Sequence, residues 1–339
     1  RLFFNPKEEN AAMLPHFDYV RPRTLKEAAD QLSGAGDVIH AGGTDLLGCL
    51  RDGIFEAGKV VSLTGLDGLR GIEETADGGL RIGALTTISE IAQSQLVSRK
   101  FPGLAQGASE VASPQLRNQG TLVGNLCQKP RCWYYRGEFD CLRKGGPKCS
   151  AVGGESQFHC ILGGAGCYIV HPSDTAPVLS ALQAEARIDG PKGKRKVPVS
   201  ELHVPPSRDP RRETVLERDE ILTEVRIPPP SSGLSTSYRK VRARRAWDFA
   251  LAGVALAIDF RDGTAASARI VLSGAAPVPW RSEEAEAAIS GARITPETAE
   301  KAAEAAMREA TPLKDNAYKI PLFRGVIAEE LLQAAKTAG

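Results

Sequence analysis

The stretch Val38-Ile-His-Ala-Gly-Gly-Thr-Asp-Leu-Leu47 decides the fold of the N-terminal part of the chain. A run of strand character enters a Gly-Gly turn, after which Leu46, Leu47 and Leu50 recur at helical spacing. Upstream, Thr24-Leu-Lys-Glu-Ala-Ala-Asp-Gln-Leu32 has a threonine cap and a glutamate three residues on, which predicts a short capped helix. Downstream, Lys59-Val-Val-Ser-Leu63 reads as the next strand, so the segment is a small βαβ unit. Its glycine turn lies where backbone N–H groups and a helix start can receive a pyrophosphate, and Gly42 and Gly43 permit close approach. Taken alone, the same residues also describe a plain strand-to-helix turn.

From about residue 70 the pattern changes to Gly-rich turns between short strands such as Leu80-Arg-Ile-Gly-Ala84, with helices over 87–95 and 101–112. It resumes after a cysteine-rich region with a strand at Cys167-Tyr-Ile-Val170, a helix over 175–183, and strands at 186–189 and 221–227. Pro228-Pro-Pro-Ser-Ser-Gly233 marks a boundary. Beyond it come strands at 235–241, 253–260 and 268–274, then alanine-rich helices over 283–290, 296–310 and 320–335. The expected division is a leader or tag-like segment at 1–12 before a natural start at Met13, a first lobe at 13–69, a second at 70–230 and a sheet-then-helices domain at 231–339. The class is α+β.

With 339 residues, 42% hydrophobic and 25% charged, the chain is an ordinary soluble protein able to build two or three cores. Its net charge of +2 provides no overall field that would favour nucleic acid or anionic lipid. No apolar run approaches the roughly 20 residues of a membrane span, and the start has no export signal. Seven cysteines, an odd number without a signal peptide, predict reduced thiols and assembly in the cytoplasm. His16, His40, His159, His171 and His203 show no metal-site or triad spacing; none is assigned a catalytic role, and His171 reads as structural. The basic runs at 192–196 and 208–212 read as solvated hairpins or loops.

A second glycine-bearing loop, Gly120-Thr-Leu-Val-Gly-Asn125, adds another backbone nest. Neither loop carries the Gly-x-Gly-x-x-Gly fingerprint or a Gly-Lys-Ser/Thr ending, which argues against a Rossmann dehydrogenase or an ATPase. Ala41-Gly-Gly-Thr-Asp-Leu-Leu47, Arg117-Asn-Gln-Gly-Thr-Leu-Val-Gly-Asn125, Pro172-Ser-Asp-Thr-Ala-Pro177 and Tyr238-Arg-Lys-Val-Arg-Ala-Arg244 follow one another in this order. Together they resemble the FAD-binding medium subunit of the xanthine oxidase family of molybdenum hydroxylases, over nearly the whole chain from Met13.

That resemblance implies a two-lobed FAD-binding fold of the vanillyl-alcohol oxidase type, followed by a C-terminal three-stranded sheet with a small helical bundle. It implies that Ala41, Gly42, Gly43, Thr44, Asp45 and Leu46, with Gly120, Thr121, Gly124 and Asn125, hold the diphosphate and ribityl parts of FAD. It also implies that Asp174 is a polar anchor and that Lys240 lies near the cofactor. Asp174 also suits a helix N-cap before Thr175, and Ile221 and Leu222, expected near the flavin, also suit a plain buried strand. The implied function is electron transfer from a large molybdenum-cofactor subunit and a small 2Fe-2S subunit, through FAD here, to an external acceptor.

Six of the seven cysteines, Cys127, Cys132, Cys141, Cys149, Cys160 and Cys167, fall between the second loop and Asp174. Such a cluster suits metal. Zinc usually takes a short Cys-x2-4-Cys knuckle, whereas the gaps after Cys132 are eight, seven and ten residues. An iron-sulfur core accepts irregular spacing, and Arg131, Arg136, Arg143, Lys144 and Lys148 offset its charge. The stretch resembles the insert, at about 126–167, of the subset typified by bacterial periplasmic aldehyde oxidoreductases, which holds a 4Fe-4S cluster. By that resemblance the ligands are Cys132, Cys141, Cys149 and Cys167, with Cys127 and Cys160 surplus and Cys49 in the core. The same resemblance favours an aldehyde as the complex's substrate, with purines, other N-heterocycles and aromatic thioesters as alternatives, and admits a periplasmic destination by co-export with a partner subunit. A stand-alone flavin oxidase and a zinc-stapled binding module are the readings from other classes.

Overall fold

The computed structural model describes residues 14–338, so the leader-like segment 1–12 and the start expected at Met13 lie outside the described residues. Three sheets follow one another along the chain. The first contains β1 (Asp18–Val20), β2 (Asp37–His40) and β3 (Lys59–Ser62) in the order β1-β3-β2, all parallel. Helices Leu25–Asp30 and Leu46–Arg51 make the crossovers. Thr24 Oγ1 accepts from the Glu27 N–H at 3.1 Å, and the Glu27 carboxylate accepts from the Arg23 N–H at 2.8 Å, tying the turn shut from both sides. The strand added to the expected βαβ unit, β1, has only three residues, two of them exposed, and so leaves no hydrophobic alternation to read.

The second sheet contains β4 (Ile72–Glu74), β5 (Leu80–Gly83), β6 (Glu185–Gly190), β7 (Gly193–Pro198) and β8 (Ile221–Ile227), ordered β4-β5-β8-β6-β7 and antiparallel throughout. Leu80, Ile82 and Val225 of this sheet share one core with Ile91, Leu104 and Leu179 from helices Ile88–Gln93, Pro102–Ser109 and Thr175–Ala181. The run at 192–196 lies in the β6–β7 hairpin.

The third sheet holds β9 (Leu234–Val241), β10 (Ala252–Arg261), β11 (Thr264–Ser273) and the two-residue β12 (Trp280–Arg281), ordered β12-β11-β10-β9. Its three long strands are those expected, and β12 adds an edge pair opposite Val271 and Leu272. Alternation along these strands sends Val254, Leu256 and Ile258 into a core with Ala299, Ala302 and Ala303, while Ala255, Ala257 and Val271 face the core of the second sheet. Helices Glu283–Ile289, Pro296–Ala306 and Lys319–Ala338 cover the first of these faces, their alanines allowing close approach.

Between residues 127 and 174 regular structure is limited to one helical turn at Trp133–Arg136 and a 3-10 turn at Leu142–Lys144. The strand expected at 167–170 does not form, nor does the strand-like pattern around Cys160. Gly163 and Gly166, at φ +62° and +79°, break the extended path. This segment docks on the third sheet's end instead, with Ile161 and Leu162 both donating to the Ala275 carbonyl and His171 to that of Ala276.

Candidate functional site

The loop leaving β2 and the loop before helix Leu122–Leu126 face one another. Gln119 Nε2 donates to the Gly42 carbonyl at 3.1 Å, and a Cβ at Gly42 would overlap the Gln119 carbonyl oxygen, so no other residue allows this approach. Gly43 takes φ +74° and would set a Cβ 2.8 Å from His40 Nε2. Thr121 Oγ1 caps its helix by accepting from Gly124 N–H at 3.2 Å.

A cavity of about 290 Å3 opens between the loops, lined by Ala41, Gly42, Gly43, Thr44, Asp45 and Leu46 on one side and by Thr121, Gly124 and Leu222 on the other. Ile221 lines it beside Leu222. A neighbouring cavity of about 150 Å3 is lined by Gly120, Asn125, Asp174 and Lys240. The two share Thr44, Asp45, Thr121, Gly124 and Gln128, forming one elongated cleft. Every residue singled out for the cofactor therefore lines this cleft. Such a shape, with mostly apolar walls and few polar groups, suits an extended organic ligand.

Asp174 stands at the N-terminal end of helix Thr175–Ala181, yet its side chain makes no capping bond. Ser173 Oγ accepts from Ala176 N–H at 3.0 Å and does that work. The Asp174 carboxylate instead meets Lys240 Nζ at 2.8 Å and accepts from the Tyr238 hydroxyl at 2.7 Å, all in the interior. Burial pushes its carboxyl up from the usual range, opposed by the Lys240 ammonium. Asn125 Oδ1 accepts from Ser173 and Thr175 hydroxyls at 2.6 and 2.8 Å, which fixes the cleft wall.

Asp45 is not free to meet a diphosphate with its carboxylate. It binds Arg136 Nη2 at 2.7 Å, Arg131 Nη2 at 3.0 Å and the Lys129 N–H at 2.7 Å, and so ties the cysteine-rich segment to the glycine loop. Arg131, Trp247 and Phe249 also line the cleft, with Arg131 over the Phe249 ring. Sequence reading left the two aromatics out, because they sit in an exposed loop with no periodicity. Trp247, at φ +53°, donates its N–H to the carbonyl of Ala112, itself at φ +45°. Two non-glycine residues in left-handed conformations meeting at the cleft mouth are a strained feature that only the structure displays.

Four of the six clustered cysteines, Cys132, Cys141, Cys149 and Cys167, line a single small cavity with Tyr134, Arg143 and His159. Cys127 lines the elongated cleft, while Cys160 is buried outside the small cavity and Cys49 is buried beside Asp45. All seven thiols are free. Burial pushes the thiols of Cys127 and Cys132 each up to about 12 and raises that of Cys149. Arg143 is buried beside this cavity, bonded to Glu213 Oε1 at 2.9 Å, and its Nε has no partner. His159 Nε2 lies 3.3 Å from Cys132 Sγ; burial lowers its imidazole to about 4. Among the described residues no group of three or more His, Cys, Asp or Glu stands close enough to share one metal ion.

His171 and His203 pack edge to face at 4.1 Å behind the cleft, and His203 Nε2 donates to the Leu126 carbonyl at 3.0 Å. The first therefore has a structural partner, as its position suggested. No helix of the described residues is long and apolar enough to cross a membrane.

Two family models match the chain. Residues 15–230 match the family described as the FAD binding domain in molybdopterin dehydrogenase, and residues 236–337 match the CO dehydrogenase flavoprotein C-terminal domain. The chain belongs to the FAD-binding subunits of the molybdopterin dehydrogenases. Among its relatives it is 36% identical over 330 residues to the aldehyde oxidoreductase FAD-binding subunit PaoB of Escherichia coli, covering 95% of this chain and 99% of that one. It is 27% identical to the carbon monoxide dehydrogenase medium chain of Hydrogenophaga pseudoflava, over 89% of each. The solved carbon monoxide dehydrogenase from that organism, which lacks the Mo-pyranopterin moiety, superposes with a TM-score of 0.77 at 27% identity, covering 96% of this chain and 99% of that one. These homologues are oxidoreductase subunits of molybdenum hydroxylases.

Proposed function

We propose that this chain is the electron-transfer subunit of a heteromeric molybdenum hydroxylase that oxidises aldehydes. It works with a large molybdenum-cofactor chain and a small 2Fe-2S chain, and passes electrons through FAD to an external acceptor. The 36% identity to an aldehyde oxidoreductase subunit supports the substrate class. FAD fits the cleft: Gly42 leaves open a cradle that a Cβ would close, and Asp174 and Lys240 supply a neutral buried pair at one end. The flavin supplies the redox chemistry; this chain orients it, excludes water from it and sets its electrostatic surroundings. Assembly in the cytoplasm with reduced thiols, and co-export on a partner's signal, belong to the same proposal.

The insert, on this reading, holds a 4Fe-4S cluster on Cys132, Cys141, Cys149 and Cys167. The observation that carries it is the convergence of these four thiols, drawn from 36 residues of irregular chain, on one cavity that excludes Cys127 and Cys160. An orphaned Arg143 Nε beside them suits the sulfur atoms of a polynuclear core. Iron, acid-labile sulfide, zinc and flavin should be measured on the purified complex. Cys132→Ser or Cys141→Ser is expected to remove the iron, and Cys127→Ser to leave it; zinc without visible absorption would sink the reading.

A further inference from the structure

The small cavity holds one imidazole that the ligand assignment does not use. His159 is 3% exposed, and its position is fixed from several sides. Its N–H donates to the Ser156 carbonyl at 3.0 Å, its own carbonyl accepts from Asn316 Nδ2 at 3.0 Å, and its ring meets Trp133 and Tyr134 with centroids 5.7 and 5.8 Å apart. Lys319 extends the clamp by donating to the Phe158 and Gly274 carbonyls at 3.3 and 2.8 Å. The last helix and the turn before it therefore hold the segment that presents His159.

The ring's two nitrogens face different surroundings. Nε2 lies 3.3 Å from Cys132 Sγ, whereas Nδ1 is buried with no partner. A neutral imidazole has one N–H, and placing it on Nδ1 would bury an unsatisfied donor. Placing it on Nε2 gives a donor aimed at a sulfur and leaves the cheaper orphan, an acceptor. Resting on the cluster reading above, we infer that His159 is a positioning residue: it donates Nε2–H to the Cys132 sulfur and so raises the reduction potential of the cluster. A hydrogen bond to a ligating sulfur strengthens as electron density on it rises, so it favours the reduced form.

The test uses the full chain, purified anaerobically, with the reduced cluster followed by electron paramagnetic resonance against solution potential. His159→Phe is expected to retain its iron and to shift the oxidised-to-reduced ratio about tenfold towards oxidised at a fixed potential, about 59 mV for a one-electron couple. His159→Gln, which can present an N–H near the same place, should recover most of that shift. An unchanged potential with iron retained overturns the inference. Loss of iron in His159→Phe that His159→Cys restores would make the histidine a ligand and overturn it equally. A measurement on the unaltered chain does not depend on the variants folding: 15N-histidine labelling should give a weak nitrogen coupling to the reduced cluster, transmitted through a hydrogen bond. No coupling, or the strong coupling of a bound ring, refutes the inference. Wild-type chain without iron and labile sulfide defeats the cluster reading itself, a separate result.

Discussion

Replacing Lys240 by methionine tests the polar end of the cleft most directly. Lys240 and Asp174 are 2.8 Å apart with side chains only 1% and 5% exposed, so neither charge has water to turn to when the other is removed. Lys240→Met also deletes a 3.1 Å bond to the Glu110 carbonyl, while the Tyr238 hydroxyl stays on Asp174 as its one remaining side-chain donor. Breaking a buried pair from one side costs about 3–5 kcal/mol. At roughly 2–4 °C per kcal/mol for a domain of this scale, the melting temperature of the flavin-free chain should fall by about 6–20 °C. The double variant Lys240→Met/Asp174→Leu leaves no stranded charge and should be more stable than Lys240→Met, with a coupling energy of about 2–3 kcal/mol. Calorimetry on the two single variants, the double variant and the parent completes the cycle. Losses below about 1 kcal/mol in Lys240→Met, or simple additivity, would show that the pair is solvated and that the reasoning from burial is wrong.

Gly42→Ala drives a methyl against the Gln119 carbonyl and should separate the two loops; FAD affinity measured by flavin fluorescence is expected to fall at least tenfold, about 1.4 kcal/mol, with the fold retained by circular dichroism. His203 is held neutral in the fold, lowered by burial to about 4 against an ordinary value of 6.5. Because the unfolded chain takes up that proton first, this contribution is intact above about pH 6.5 and is lost as pH falls through about 4, on the order of 3 kcal/mol. Urea unfolding at a series of pH values should show that slope, and His203→Gln should flatten it; an equal slope in both would rule this histidine out. Asp45→Asn leaves Arg136 and Arg131 without their carboxylate, and limited proteolysis should cut the 127–174 segment faster. No change in cutting would mean that this contact does not anchor the segment.

Periodicity and turn chemistry made much of the frame legible. Lys59–Ser62, Ile221–Ile227 and the three long strands of the last sheet were readable because they are apolar runs bounded by turns. The cleft was legible through its glycines, since a loop that must pass under a neighbouring carbonyl leaves a residue-level trace at Gly42. What escaped depends on distant partners. Ser173, Asp174 and Thr175 are all capping types, and nothing local says that Ser173 caps while Asp174 turns to Lys240, 66 residues on. Asp45 looked like a phosphate-loop residue because Arg136, 91 positions away, is invisible from its neighbourhood. The segment between Cys127 and Asp174 has almost no repeating pattern to read. There the four cysteines were separable from the other two by family likeness alone; in the structure those four line one cavity.

The insert and the flavin cleft share one electrostatic frame. Glu213 is bound by both Arg143, at the wall of the cysteine cavity, and Lys129, at the wall of the cleft; the Lys129 N–H in turn holds Asp45 of the glycine loop. Lys129, Arg131, Arg136 and Arg143 against Asp45 and Glu213 leave two positive charges in excess. Lys129 and Arg131 are partly exposed, so water screens part of this excess, whereas Arg136 and Arg143 lie deeper and depend on Asp45 and Glu213. Removing the Glu213 carboxylate should therefore loosen the glycine loop as well as the insert. The pairing of Asp45 with Arg136 explains why a residue at the heart of the cleft turns its carboxylate away from it.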